Sequence, residues 1–284
     1  MQEKKYVINA LGERELFSER KLLQSLRRSG ASADIANKIL NSVRKNIFSG
    51  IKTSEIFRLI KTSLGKEQLK VALRFSLKES IRELGPAGFF FEKYIAEVFK
   101  QYGYEIKINQ VVSGKCVNYE MDIIARKEKT VYLGECKYRN KAGEKIDISV
   151  CLKEFALLYD IKKGNYFIKN PDYSIQSLII TNTKFTEQSI KYAECEGIYL
   201  FGWRYPREGG LEKLIEDKKL YPITILPSFK KHLMNFFVSK KMMLAKDILA
   251  IKDIAKFAET AKISKKSIDD LYREARTLLE EDKI

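Results

Sequence analysis

The stretch at residues 119–139, YEMDIIARKEKTVYLGECKYR, limits what this chain can fold into more than any other segment. Two short apolar runs flank the polar Lys127-Glu128-Lys129-Thr130, the pattern of two antiparallel strands joined by a tight connection. With those four residues as the loop, Arg126 faces Val131, Ile124 faces Leu133 and Asp122 faces Glu135. Alternation then puts Val131, Leu133, Glu135 and Lys137 on one face, with Lys137 about 7 Å along the strand from Glu135. Directly opposed side chains have Cβ atoms about 4.5–5.5 Å apart, and like charges there are destabilising. Two carboxylates and a lysine at the end of an apolar hairpin therefore call for a compensating partner.

A hard divalent cation would serve, because Mg2+ takes oxygen ligands, usually one or two carboxylates with waters and phosphate oxygens. The backbone carbonyl of Cys136 is a natural further ligand. Lys137 is positioned to hold an attacking water or to offset charge developing on phosphorus. Plainer readings stay open at this point: Lys137 neutralises the acids at a solvated strand end, or pairs with Glu120, opposite it in the same register. In the helical run FFFEKYIAEVF, Glu92 precedes Ile95, Ala96 and Phe99 at i+3, i+4 and i+7, so it lies on or beside the apolar stripe and faces the sheet. An acid in a first helical turn is also favoured by the helix dipole alone.

Composition narrows the chemistry. The 284 residues are 45% hydrophobic and 32% charged, enough for one large or several small domains, and no apolar run approaches the roughly 20 residues of a membrane helix. The start, MQEKKYVINALGERE, is too polar for a secretory signal, so a cytoplasmic location without membrane attachment is expected. Cys116, Cys136, Cys151 and Cys195 form no C-x-x-C pair, and the single histidine, His232, leaves neither zinc clusters nor a richly supplied catalytic triad as an option. Any reaction rests on carboxylates, lysines and a metal. A formal charge of +16, positive in each of the segments 1–64, 65–228 and 229–284, points to a polyanionic partner, nucleic acid first.

Along the chain, KYVIN and ELF read as a hairpin turned at Leu11-Gly12, followed by helices starting at Ser18, Ser32 and Thr53, with stops at Gly30 and Gly50. Residues 66–83 carry Leu69, Ala72, Leu73, Leu77 and Ile81 at helical spacing, as one connecting helix ending at Leu84-Gly85-Pro86. Beyond it the pattern predicts a helix from Phe89 and strands at 105–112, 120–126 and 131–138. A helix near 150–159, a strand at 177–181, a helix capped by Thr186 and a strand in GIYLFGW follow. The expected fold is α/β with a central mixed sheet flanked by helices. A small N-terminal α+β domain (1–64), a linker helix (65–84), the central domain (85–228) and a basic C-terminal helical region (229–284) are the expected divisions. Thr181, Asn182 and Thr183 read chiefly as a strand ending. Lys230, Lys231, Lys240 and Lys241 would contact backbone phosphates.

Three resemblances add to this. Residues 1–64, in the order strand, Gly turn, E-L-F-S, K-L-L-Q-S-L-R-R-S-G-A, second helix and G-I-K-T-S-E-I, resemble the ATP-cone nucleotide-binding domain. Asn9-Ala10 stand where such domains carry a basic pair, so Lys5 and Lys21 would supply the phosphate contacts, with ATP or dATP as regulatory ligand. G-F-F-F-E, Y-E-M-D-I-I, E-C-K-Y, L-I-I-T-N-T-K-F-T-E-Q-S-I-K-Y-A and G-I-Y-L-F-G-W, over roughly residues 85–205, resemble the Mrr-like restriction endonuclease branch of the PD-(D/E)XK superfamily. Met121 replaces the proline of the motif. This resemblance implies a restriction-endonuclease-like core and Mg2+- or Mn2+-dependent hydrolysis of double-stranded DNA, by a homodimer. Asp122, Glu135 and the Cys136 carbonyl would bind metal, Lys137 would act on the water or transition state, and Glu92 would complete the acidic cluster. A junction-resolvase-like nuclease and a non-cleaving, nucleotide-regulated DNA-binding protein are the alternatives. The C-terminal helices resemble helix-hairpin-helix motifs, with A-K-I-S where glycines would stand.

Overall fold

The computed structural model describes residues 5–85, 88–166 and 172–281, so Pro86, part of the break expected after residue 83, lies outside the described residues. The chain divides into two compact units. One comprises residues 1–81, 141–143 and 223–284, and the other residues 82–140 and 144–222.

The first unit begins with β1 (Tyr6–Ile8) and β2 (Arg14–Leu16), antiparallel, with β3 (Ile51–Lys52) adding to β1 in parallel. Their turn forms because the Asn9 carboxamide oxygen accepts the N–H groups of Leu11 and Glu13 at 2.9 and 3.0 Å while Gly12 takes a φ of 83°. Helices α1 (Glu19–Arg28) and α2 (Ala33–Asn46) start at Ser18 and Ser32, whose hydroxyls cap Lys21 N and Ile35 N. They bury Leu22, Leu26, Ala36, Ile39, Leu40 and Val43. Helix α3 (Thr53–Glu67) starts where expected, but Thr53 is its first helical residue instead of its cap, and Lys52 precedes it without a side-chain cap.

The single connecting helix expected over 66–83 is instead two, α4 (Leu69–Phe75) and α5 (Leu77–Arg82). Gln68, extended at φ −150°, separates α4 from α3, and at Ser76 the hydroxyl donates back to Ala72 O at 2.9 Å. Such back-bonding bends helices, and the bends let Leu64, Val71, Ala72 and Leu73 all reach buried positions that one straight helix would divide between faces. The C-terminal segment belongs to this unit. After α10 (the six residues Met234–Ser239) and α11 (Ala245–Ile248), helices α12 (Ile254–Ala261) and α13 (Lys265–Leu279) are capped by Asp253 and Ser264, and α13 packs on α4.

The second unit holds a five-stranded mixed sheet in the order β10-β8-β6-β5-β4. Helix α6 (Phe89–Gln101) leads into the antiparallel strands β4 (Glu105–Ser113), β5 (Asn118–Lys127) and β6 (Thr130–Lys137). Helix α7 (Ile148–Lys163) crosses to β8 (Ser174–Thr181), parallel to β6. Helix α8 (Glu187–Glu196), capped by Thr186, leads to β10 (Tyr199–Phe201), parallel to β8. Two-residue strands β7 (Lys145–Ile146) and β9 (Lys184–Phe185) pair beside it, and α9 (Leu211–Asp217) follows. Being central, β6 is covered on both faces: Val131, Leu133, Gly134, Glu135 and Cys136 are all buried. Val131 and Leu133 pack with Leu157, Leu158 and Ile161 of α7. Among the described residues, no helix is long and apolar enough to cross a membrane.

Candidate functional site

The hairpin register is the one the apolar pattern predicts, with Arg126 opposite Val131 and Ile124 opposite Leu133. The loop is shorter than four residues, because Lys127 and Thr130 also pair, and Glu128 turns the chain with φ 52°. Pairing with β6 stops at Ile123–Gly134, and the ladder with β4 passes from Ile108–Ile123 to Gln110–Met121. Asp122 is thus the one residue of β5 with no strand partner on either side, opposite an Asn109 at φ 52°. Its carboxylate replaces the missing ladder bond by accepting the Cys136 N–H at 2.7 Å. The expected pairing of Asp122 with Glu135 is therefore not made: the ladder ends one pair short of it, and the short acidic side chain takes the Cys136 N–H instead.

Glu135 is 8% exposed, and its Oε1 accepts from Lys137 Nζ and, at 3.4 Å, from Lys153 Nζ of α7. Lys137 therefore pairs along its own strand and not with Glu120. Glu92 projects from the first turn of α6. Burial, and then the charges of Asp122, Glu135 and Glu120, raise its pKa to about 7. Burial also raises Asp122, against the lowering effect of the Cys136 N–H. The structure thus brings Glu92, Asp122, Glu135 and Lys137 into one electrostatic neighbourhood in which negative charge is in excess.

Sequence reasoning missed Glu154. On α7 it precedes Leu157, Leu158 and Ile161 at i+3, i+4 and i+7, so the stripe that packs on Val131 and Leu133 carries a carboxylate one turn earlier, toward Glu135. It is fully buried with neither oxygen hydrogen-bonded, and burial and then Glu135 raise its pKa to about 7. The spacing that singled out Glu92 would have found it.

The strand beyond Lys137 is clamped by β8. Thr181 Oγ1 donates to Lys137 O at 2.6 Å, while Asn182 accepts from Arg139 N at 2.8 Å and donates to Arg139 O at 2.7 Å. Thr183 Oγ1 donates to Glu144 O. These three residues fix the exit of the hairpin.

Lys5 and Lys21 have other partners: Lys5 Nζ donates to Ile47 O at 2.7 Å, past the end of α2, and Lys21 stands 3.9 Å from Glu15. Among the described residues no three acidic, histidine or cysteine side chains form a ready cation cage, since Asp122 is turned to Cys136 and Glu135 to two lysines. The donors at hand are nevertheless carboxylate and carbonyl oxygens, the type a hard cation takes.

Comparison with known proteins gives three results. The family model for the AF1548-like C-terminal region matches residues 221–279. An uncharacterized protein of Archaeoglobus fulgidus is 36% identical over 160 residues, covering 55% of this chain and 84% of that protein. The crystal structure of AF1548, a protein of unknown function, is similar with a TM-score of 0.57 and 32% identity, over 68% of this chain and 98% of that one.

Proposed function

The chain belongs to the AF1548-like family, and from the chemistry at its hairpin end we propose that it is a metal-dependent endodeoxyribonuclease. The observation that carries this reading is the cluster of Glu92, Asp122 and Glu135, in which burial first and the neighbouring acids second push Glu92 to about 7, with Lys137 bonded to one of the acids. A helix, three antiparallel strands, a second helix and a parallel strand in that order also suit a restriction-endonuclease-like core.

An orphaned buried carboxylate, Glu154, beside charge-crowded acids fits a divalent cation, since unpaired buried charge is otherwise costly. Asp122, Glu135 and the Cys136 carbonyl would hold Mg2+ or Mn2+, which supplies charge neutralisation at the phosphate and a more acidic water. Lys137 would leave Glu135 to orient that water and offset the charge developing on phosphorus. Glu92, near neutrality in its pKa, is suited to take a proton or bind through an outer water. Double-stranded DNA is the substrate in this reading, cut on both strands by a pair of chains. The Mrr-like restriction role, and ATP or dATP acting on the N-terminal module, are its finer parts.

The test is incubation of the purified chain with supercoiled plasmid and a four-way junction in Mg2+, with and without ATP, beside Asp122→Ala and Lys137→Ala. Nicking that needs the metal and both residues is expected. Cleavage surviving either substitution or chelation overturns the mechanism, and a gel shift without cutting favours a binding protein.

A further inference from the structure

In the C-terminal segment, α10, the turn after it and the start of α12 enclose an open cavity of about 470 Å3. This lies within the range of small-ligand sites, about 300–1,000 Å3. Its floor is aromatic: Phe236 and Phe257, both half-buried, meet edge to face with centroids 5.4 Å apart. Its rim is cationic, formed by Lys240, Lys241, Lys252 and Lys256, all exposed. Lys240 Nζ stands 5.9 Å from the Phe236 centroid. Two aspartates also line it, but both are engaged as helix caps, Asp247 accepting Leu244 N at 2.8 Å and Asp253 accepting Lys256 N at 2.9 Å. Lys241 is held at φ 60°, a left-handed conformation that turns the chain at the rim.

A cavity with an apolar aromatic floor and four lysines around its mouth is complementary to a ligand that joins a flat π-system to phosphate. Phe236 and Phe257 also pack on the buried Phe237, but simple phosphate-backbone binding would leave their exposed parts unused, and an apolar ligand would leave the lysines unused. Base stacking on aromatic rings with lysine contacts to the flanking phosphates uses both. We propose that this cavity binds a single nucleotide unit, its base over Phe236 and Phe257 and its phosphates on Lys240, Lys241, Lys252 and Lys256. The unit is either a free nucleotide or one unpaired residue of a DNA strand. The site shares no residue with the hairpin cluster, and it stands or falls independently of cleavage.

The experiment measures fluorescence anisotropy of the full chain with a labelled single-stranded oligonucleotide in EDTA, where no metal-dependent cutting occurs. Competitors are ATP, the unlabelled intact strand and the same strand with abasic residues. Loss of the bases is expected to weaken binding about tenfold or more. Phe236→Leu, which keeps an apolar floor, should erase that discrimination with the fold retained by circular dichroism. The exposed double variant Lys252→Ala/Lys256→Ala should lower the slope of log affinity against log salt by about 1.4 for a single strand. Displacement by ATP would assign the site to free nucleotide, and displacement by strands alone to DNA. Base discrimination that survives Phe236→Leu, an unchanged salt slope in the lysine variant, or displacement by neither ATP nor the unlabelled intact strand overturns the proposal. Because binding is read in EDTA, a chain that binds here but does not cut plasmid in Mg2+ sinks the nuclease reading and leaves this proposal standing.

Discussion

At the scale of single residues, the site is governed by charge that burial has made expensive. Glu154 and Glu92 both have folded pKa values of about 7 against ordinary values of 4.5. The folded state holds their protons more tightly than the unfolded state, so neither is destabilising below about pH 4.5, and the penalty grows as pH rises toward 7 and is complete above it. Glu154→Gln should therefore stabilise the chain at pH 8 by up to about 3 kcal/mol, with the gain vanishing near pH 4. Denaturant melts at the two pH values check it, and a gain of equal size at pH 4 would point to packing instead of charge. In catalysis, Lys137→Ala should cost a hundredfold or more in plasmid nicking, while Lys137→Arg restores only part of it.

At the scale of elements, the hairpin and its clamp position these groups. Glu128 is a non-glycine residue at φ 52° in the loop, where glycine is favoured, so Glu128→Gly should stabilise the fold by up to about 1 kcal/mol without altering the register. Asn182→Ala removes both bonds to Arg139 and should loosen the exit of β6, lowering kcat more than it raises KM. If that variant keeps full activity, the clamp serves the fold alone. The break at Asp122 in both ladders has a comparable logic: a strand irregularity aims a side chain, and here it aims a carboxylate at the end of β6.

At the scale of the whole molecule, the C-terminal helices share a compact unit with residues 1–81, with α13 burying Ile268, Leu271, Ala275 and Leu278. A fragment of residues 1–64 is therefore a poor vehicle for testing nucleotide binding, and the full chain should be used. A divalent cation should raise the melting temperature of that chain at pH 8, by relieving the crowded acids, and Asp122→Ala should abolish the rise. Calcium, which supports binding in many oxygen sites, offers the same readout without catalysis.

Much of this was legible in the chain itself. The apolar runs of 119–139 and the polar loop between them were enough to place the hairpin and its pairing of Arg126 with Val131 and Ile124 with Leu133. Serine and aspartate caps with helical spacing determined α1, α2, α12 and α13, because those signals act within a few residues. Tertiary structure alone decided what depends on distant partners. It broke the 66–83 helix so that its apolar residues could be buried, and it joined the two ends of the chain in one unit. It also drew Lys153 to Glu135 and stripped Glu154 of hydrogen-bond partners. Burial and long-range charge, which set the chemistry of the site, are sums over neighbours that no local pattern in the sequence contains.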